Sequence, residues 1–463
     1  MTQEDTAMFD RTAHVGMFES FITAHWFHSK VKAIWSDRAT LQAWLTVESA
    51  LAHAQARSGL IPEEAARVIE TRADASLFNI SQLAEQIAFA QHPLVPVLHQ
   101  LETLCGEPAA GYIHWGATTQ NIFDTATSLQ MMQTHCCLVA DVDAAIAALS
   151  TLAETHRDTP MAGRTHGQHA LPMTLGFKLA GWIAELARDR QRLDERVASS
   201  FTVSMGGAIG TYAATGAPGR EVEARLAERL GLQPSVVPSR SSFDRVADYV
   251  NSLGLLAGTA QRIAQEMIFL QRTEIGEVSE AFHLGKVGSS TMAQKRNPTT
   301  AQLLSSLSRM LRARVPVALE SMVRMDEGDA AVTNVTDTLM PEIAILAASM
   351  AQTLRRLVEG LTVHPGALAR NLSLTDGLIA SEAAMMRLTS LIGRHHAHHV
   401  LYDAVHQVDA TESDLLERIA RHPLLAGQSL PDGFAAALDP AAYTGESAAI
   451  VEDVIRQVRG ERG

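Results

Sequence analysis

The chain is poor in cysteine, in aromatic residues and in positive charge. Its three cysteines in 463 residues, Cys105, Cys136 and Cys137, are an odd number without metal-type spacing. Neighbours such as Cys136 and Cys137 rarely bridge each other, so reduced, structural thiols are expected. A formal net charge of -13 repels nucleic acid and acidic membrane surfaces, and no local basic patch offsets it. No apolar run reaches the roughly 18 to 20 residues of a membrane span, and the start MTQEDTAMFD is acidic where a signal peptide is basic and then apolar. The expectation is a cytoplasmic globular protein with neither nucleic acid nor membrane as partner. An anionic substrate must then be held by a few placed donors rather than by a general positive field.

What the chain has is apolar periodicity. With 46% hydrophobic content it can bury a large core, and its length suits two or three domains. From Leu41 onward apolar residues recur at spacings of three and four and no alternating segment stands out, which predicts an all-α fold. The clearest stripe runs from about Asp244 to Ser279 through Val246, Val250, Leu253, Leu256, Ala260, Ile263, Met267 and Leu270. At 1.5 Å per residue such a helix is roughly 50 Å long, a length typical of bundles. Similar stripes run from about Leu175 to Val197 and from Thr299 to Val323, the latter kinked or divided at Pro316. Breaks near Gly111, at Ala217-Pro218-Gly219, at Val237-Pro238-Ser239 and at His364-Pro365-Gly366 suggest three parts: an N-terminal helical domain over residues 1–113, a central long-helix bundle over 114–362, and a C-terminal helical cap over 363–463.

Four polar islands interrupt this pattern: Tyr112 to Asn121 (YIHWGATTQN), Gly163 to His169 (GRTHGQH), Met205 to Thr211 (MGGAIGT) and Gly288 to Pro298 (GSSTMAQKRNP). Caps and turns account for glycines, threonines and asparagines at helix ends. They suffice for Gly206, Gly207 and Gly210, whose spacing is not that of a phosphate loop and which follow no strand. They do not account for the extra hydroxyls, amides, imidazoles and ammonium of the other three.

Those three islands carry a resemblance. GSSTMAQKRNP is similar to the signature GSSxMPxKxNP of the fumarase/aspartase superfamily, HWGATTQNIFDT resembles its threonine/serine loop, and GRTHGQHALPMTLGFKLAG resembles the histidine loop of adenylosuccinate lyases, all in the family's order. Ser36-Asp37-Arg38, Gln271-Arg272-Thr273-Glu274, Arg370-Asn371-Leu372 and Leu438-Asp439-Pro440 extend it over nearly the whole chain, and the first and last look most like the carboxymuconate cycloisomerase branch. The resemblance implies a three-domain all-α fold, a homotetramer with a shared twenty-helix core, active sites built from three subunits, and no cofactor or metal. It also implies a small dicarboxylate or tricarboxylate substrate, from which a proton is removed beside a carboxylate while a leaving group departs from the next carbon.

That carbon acid is very weak, so the doubly charged aci-carboxylate must be stabilised. By resemblance Ser289 is the general base, Lys295 supplies the cation, Asn297 donates a hydrogen bond beside it, and His166 protonates the leaving group. Thr118, Thr119, Gln120 and Thr165 fall where the family binds the substrate carboxylate, with His114, Arg38 and His92 as further substrate contacts. The chain also departs from the pattern. Gln302 stands where many members have a glutamate that polarises the histidine, and Ala293 replaces the signature proline. The histidine and Ser-x-Glu-Arg element that hold a nucleotide phosphate in adenylosuccinate lyases are missing between Arg324 and Asp337. Bacterial cycloisomerases, for their part, commonly lack the histidine retained here as His166.

The expected reaction is anti-elimination of an amine from a small N-substituted aspartate, giving fumarate. Carboxymuconate cycloisomerisation is the alternative, and a non-catalytic structural paralogue a third, disfavoured by the joint presence of Ser289, Lys295, Asn297 and the threonines. The leaving-group pocket is expected around Gln91-His92, Arg240 and residues 324–329. His395 and His399 share a helix face, but no acidic residue completes a metal set there.

Overall fold

The computed structural model describes residues 17–283, 291–406 and 415–460. It is all-α in its main elements. The longest helices are Asp37–Arg57, Thr119–Thr155, Leu175–Ser200, Asp244–Leu270 and Ala330–Glu359. The Leu175 stripe forms its helix as expected. The stripe from Thr299 is divided, as Pro316 predicts, into Thr299–Arg312 and Val315–Glu320, with the proline in the first turn of the second piece.

Three features correct the expectations. The Asp244 helix stops at Leu270 rather than Ser279, because Gly276 turns back at φ +61 and lets the N–H of Glu277 bond the carbonyl of Leu270 at 2.9 Å. Helices Thr119–Thr155 and Ala330–Glu359, of 37 and 30 residues, escaped the stripe reading. The first buries Thr125, Ser128, Gln130, Thr134, His135 and Asp141 among its apolar residues, which blurs any single face, and the second contains Pro341. Thr119–Thr155 is also long and apolar enough to cross a membrane by length and composition. Finally, an antiparallel hairpin joins Pro160–Thr165 to Gln168–Thr174, and Val278–Ser279 pairs with Thr362–Val363. The hairpin lacks alternation because its register shifts between Ala162 and Arg164. Gly163 lies at that shift, where a Cβ would come within 2.8 Å of the Leu171 carbonyl.

The chain forms two compact units. The first comprises residues up to 143, 188–262 and 302–355; the second comprises 144–187, 263–301 and 356 onward. In the first, Leu41, Leu45 and Leu51 of helix Asp37–Arg57 pack with Leu94, Leu101, Ile122, Val203, Val222 and Leu226 in one core. In the second, Leu388, Val400, Leu401, Leu415, Ile419 and Phe434 form the core of the C-terminal helices, and Ala162, Leu372 and Ile379 seal the base of the hairpin. Each fully buried aliphatic side chain stabilises its unit by about 1.5–3 kcal/mol.

Candidate active site

The first unit carries His114, Thr118, Thr119, Gln120, Arg38 and His92. The threonine loop is held by its own polar groups. Thr118 donates its N–H to Asn121 Oδ1 at 3.0 Å and accepts the N–H of Asn121 at 2.9 Å, so that helix Thr119–Thr155 starts with a reciprocal cap. Gln120 donates Nε2 to Asp124 Oδ1 at 2.6 Å, and the hydroxyl of Ser204 donates to the other oxygen at 3.4 Å. Burial pushes the Asp124 carboxyl up to about 6, against the hydrogen bond from Gln120 and the charges of Arg324 and Arg240.

His114 has φ +60, and Gly116 after it has φ +67. The imidazole Nδ1 lies 2.6 Å from Oε1 of Glu48, a residue 2% exposed. Arg38 donates to the Ala75 carbonyl at 3.2 Å. His92 Nδ1 accepts the N–H of Val95 at 3.3 Å, while its ring stacks on Phe123 at 6.4 Å. Both therefore have structural partners within their unit, whatever else they touch.

Arg240 and Arg324 line one cleft together with Asp124, Ser204, Thr336 and Asp337. Arg324 donates to the Arg240 carbonyl at 3.2 Å and lies 4.9 Å over the Phe243 ring, and Arg240 donates to the Ala208 carbonyl at 2.6 Å. Burial lowers the pKa of Arg324, against the pull of Asp124, Asp329 and Asp337, and raises that of Asp337. The threonine-loop helix thus lends the Asp124 carboxylate of its second turn to the cleft in which the sequence placed the leaving group.

The second unit carries Thr165, His166, Lys295 and Asn297. Thr165 and Gln168 close the hairpin, and the two residues between them, His166 and Gly167, have φ +53 and +77, the geometry of a type I′ turn. Glycine and asparagine are at ease there; a histidine is strained by about 1–2 kcal/mol. His166 is exposed, and among the described residues it has no hydrogen-bond partner. The strand below it is firmly fixed. Arg164 donates to both oxygens of the fully buried Glu277, at 3.0 and 2.5 Å, and Asn371 Nδ2 donates to the same carboxylate at 2.8 Å. His169 beside this network has a lowered pKa, from burial first and the Arg164 charge second, with Glu277 opposing.

The signature segment is anchored beyond its polar residues. Glu280 accepts the N–H groups of Thr300 at 3.0 Å and Ala301 at 3.2 Å, capping helix Thr299–Arg312. Lys295 is exposed, with its N–H bonded to the Met292 carbonyl at 3.1 Å. Ser289, the expected base, lies outside the described residues, as do Gly288 and Ser290.

Sequence reasoning missed Glu48, Asp124, Glu277 and Glu280. The signal for Glu48 was a carboxylate inside the run Val47 to Leu51, where an apolar stripe has no use for one.

The lyase family matches residues 26–313, and the adenylosuccinate lyase C-terminal family matches residues 377–454. The chain belongs to the fumarase/aspartase superfamily. It is 37% identical over 431 residues to the N-acetyl-S-(2-succino)cysteine lyase of Dickeya dadantii strain 3937, covering 93% of this chain and 95% of that one. It is 36% identical over 431 residues to the adenylosuccinate lyase of Pyrococcus abyssi, with the same two coverages, 93% and 95%. The crystal structure of the 3-carboxy-cis,cis-muconate lactonizing enzyme from Pseudomonas putida superposes with a TM-score of 0.87 at 32% identity, covering 95% of this chain and 98% of that one. This fumarase/aspartase-type fold, inferred from the motifs, is therefore the fold observed, and the chain is an enzyme of that superfamily.

Proposed function

We propose that this enzyme cleaves a carbon–sulfur bond by β-elimination from a small S-(2-succinyl) thiol compound, releasing fumarate and the thiol. In this mechanism Ser289 takes the proton from the carbon beside one carboxylate. The electron pair moves into that carboxylate, where the Lys295 ammonium and Asn297 stabilise the aci-carboxylate. The pair then returns to form the double bond as the carbon–sulfur bond breaks and the thiolate departs. Thr118, Thr119, Gln120 and Thr165 hold the carboxylates.

The observation that carries the sulfur reading over the amine expected from the sequence is the setting of His166. A thiolate, whose acid has a pKa of about 8.5, departs as an anion near neutral pH, whereas an amide anion cannot. A histidine exposed on a strained turn, with Gln302 in place of the usual glutamate, suits a leaving group that does not need a strongly polarised acid. The relative named for a succinocysteine substrate supports the same choice. Carbon–nitrogen cleavage is the second reading, favoured by the retention of His166 and by the adenylosuccinate lyase relative.

We further propose a homotetramer whose sites draw on several subunits. Phe177, Leu255, Leu319 and Val323, on or just after helices of the expected bundle, are 37%, 55%, 43% and 74% exposed, apolar surface of the kind a subunit interface covers.

The deciding experiment follows fumarate absorbance with N-acetyl-S-(2-succinyl)cysteine, a panel of N-substituted aspartates and 3-carboxymuconate. Turnover of the thioether at least about a hundredfold above the others in kcat/KM is expected. Turnover of an N-substituted aspartate alone would overturn the sulfur reading.

A further inference from the structure

Helix Asp37–Arg57 sends two buried polar side chains into the loop that carries the threonines. Glu48 and Gln55 are 2% and 1% exposed, and a spacing of seven puts them on one helix face. Gln55 Nε2 donates to the Trp115 carbonyl at 2.6 Å, and Glu48 Oε1 meets Nδ1 of His114 at 2.6 Å. Glu48 Oε2 is buried, with no hydrogen-bond partner among the described residues. A carboxylate taken out of water costs several kcal/mol unless it is matched, and simple packing would fill this position with an aliphatic side chain. The loop is strained on the other side of the contact as well. His114 holds φ +60, and Gly116 leaves no room for a Cβ, which would sit 2.7 Å from Thr215 Cγ2. Strain and a buried carboxylate thus converge on the orientation of one ring. That ring is 18% exposed, and Glu48 is its one hydrogen-bond partner among the described residues.

We infer that Glu48 is a positioning residue: it accepts the Nδ1–H of His114, fixes the ring, and leaves Nε2–H to bind a carboxylate of the substrate beside the hydroxyls of Thr118 and Thr119. The inference rests on the proposed role of that loop in binding a dicarboxylate. With a substrate carboxylate at Nε2 and Glu48 at Nδ1, both ring nitrogens donate, as in an imidazolium, and each N–H has an anionic acceptor. The pair holds a carboxylate without an arginine.

The test uses the full-length protein and fumarate as the probe, with affinity measured by calorimetry and KM and kcat measured on whichever substrate turns over. His114→Asn suits the backbone, because asparagine tolerates a positive φ, and its folding is checked by its melting temperature. Glu48→Met keeps the volume and removes the acceptor, and Glu48→Gln keeps an acceptor without the charge. His114→Asn and Glu48→Met should each weaken fumarate binding and raise KM about tenfold or more, with kcat changed less than about threefold. Glu48→Gln should fall between Glu48→Met and the unmodified protein. The double variant Glu48→Met/His114→Asn should bind no worse than His114→Asn alone, because Glu48 acts through the ring. Losses that multiply in the double variant, or a Glu48→Met protein that melts lower but keeps its fumarate affinity and KM, would overturn the inference. A chain that binds fumarate in this Glu48-dependent way yet turns over no succinyl thioether would refute the proposed function and leave this inference standing.

Discussion

At the scale of the residue, the chemistry rests on side chains held where packing alone would not put them. His166 occupies a turn position that asparagine fits better, so His166→Asn should leave the fold intact and report on proton transfer alone. The expected loss is less than about tenfold on a succinyl thioether and about a hundredfold or more on an N-substituted aspartate, read as the ratio of the two kcat/KM values. Asp124 gives a pH signature. Its carboxyl has an ordinary value of 3.8 and is raised to about 6 in the fold, so the folded state binds its proton more tightly than the unfolded chain does. The stability this contributes is complete below about 3.8 and is lost as pH rises through about 6. Asp124→Asn should flatten that fall, an effect of about 1–2 kcal/mol after allowance for partial solvent access, measured by denaturant unfolding at pH 4.5 and pH 7. The candidate reactive residues stood out because their types are wasteful in a helical core: no packing rule asks for Ser289, Lys295 and Asn297 together. Glu48 left only a faint signal, a carboxylate inside the run Val47 to Leu51, since a glutamate in an alanine-rich helix otherwise reads as a surface residue until the fold turns it inward.

At the scale of the element, two buried carboxylates fix the pieces that bear the second unit's candidate residues. Glu277→Gln breaks the bidentate pair with Arg164 and leaves a buried guanidinium without its counter-charge, which should cost about 3–5 kcal/mol of unfolding free energy. Glu280→Ala frees the N–H groups at the start of helix Thr299–Arg312; a loss of about 1–2 kcal/mol is expected by thermal or denaturant unfolding. Apolar spacing revealed the helix from Leu175, because one buried stripe leaves a period of 3.6 in the sequence, and Pro316 marked the division of the stripe from Thr299. It overran the Asp244 helix, whose stop depends on a glycine turn. It also passed over the hairpin, where a register shift at Gly163 erases the two-residue period.

At the scale of the whole molecule, the proposed sharing of sites among subunits makes a prediction no monomer can meet. Mixtures of two inactive variants, Ser289→Ala and Thr119→Val, co-refolded from denaturant, should regain activity that neither shows alone, because some sites then receive both native loops. Sedimentation should give four times the mass of the 50.0 kDa chain; a fully active monomer would refute the assembly. The sequence by itself determined the all-α class, the superfamily and a set of candidate reactive side chains, since helical periodicity and rare polar islands are local and survive in one dimension. Only the tertiary structure decided which carboxylates hold those islands: Glu48 under His114, Asp124 against Ser204, Glu277 behind Arg164. A charge is stabilised or punished by what surrounds it in space, and residues that meet across 66 or 113 positions of chain leave no local trace of having met.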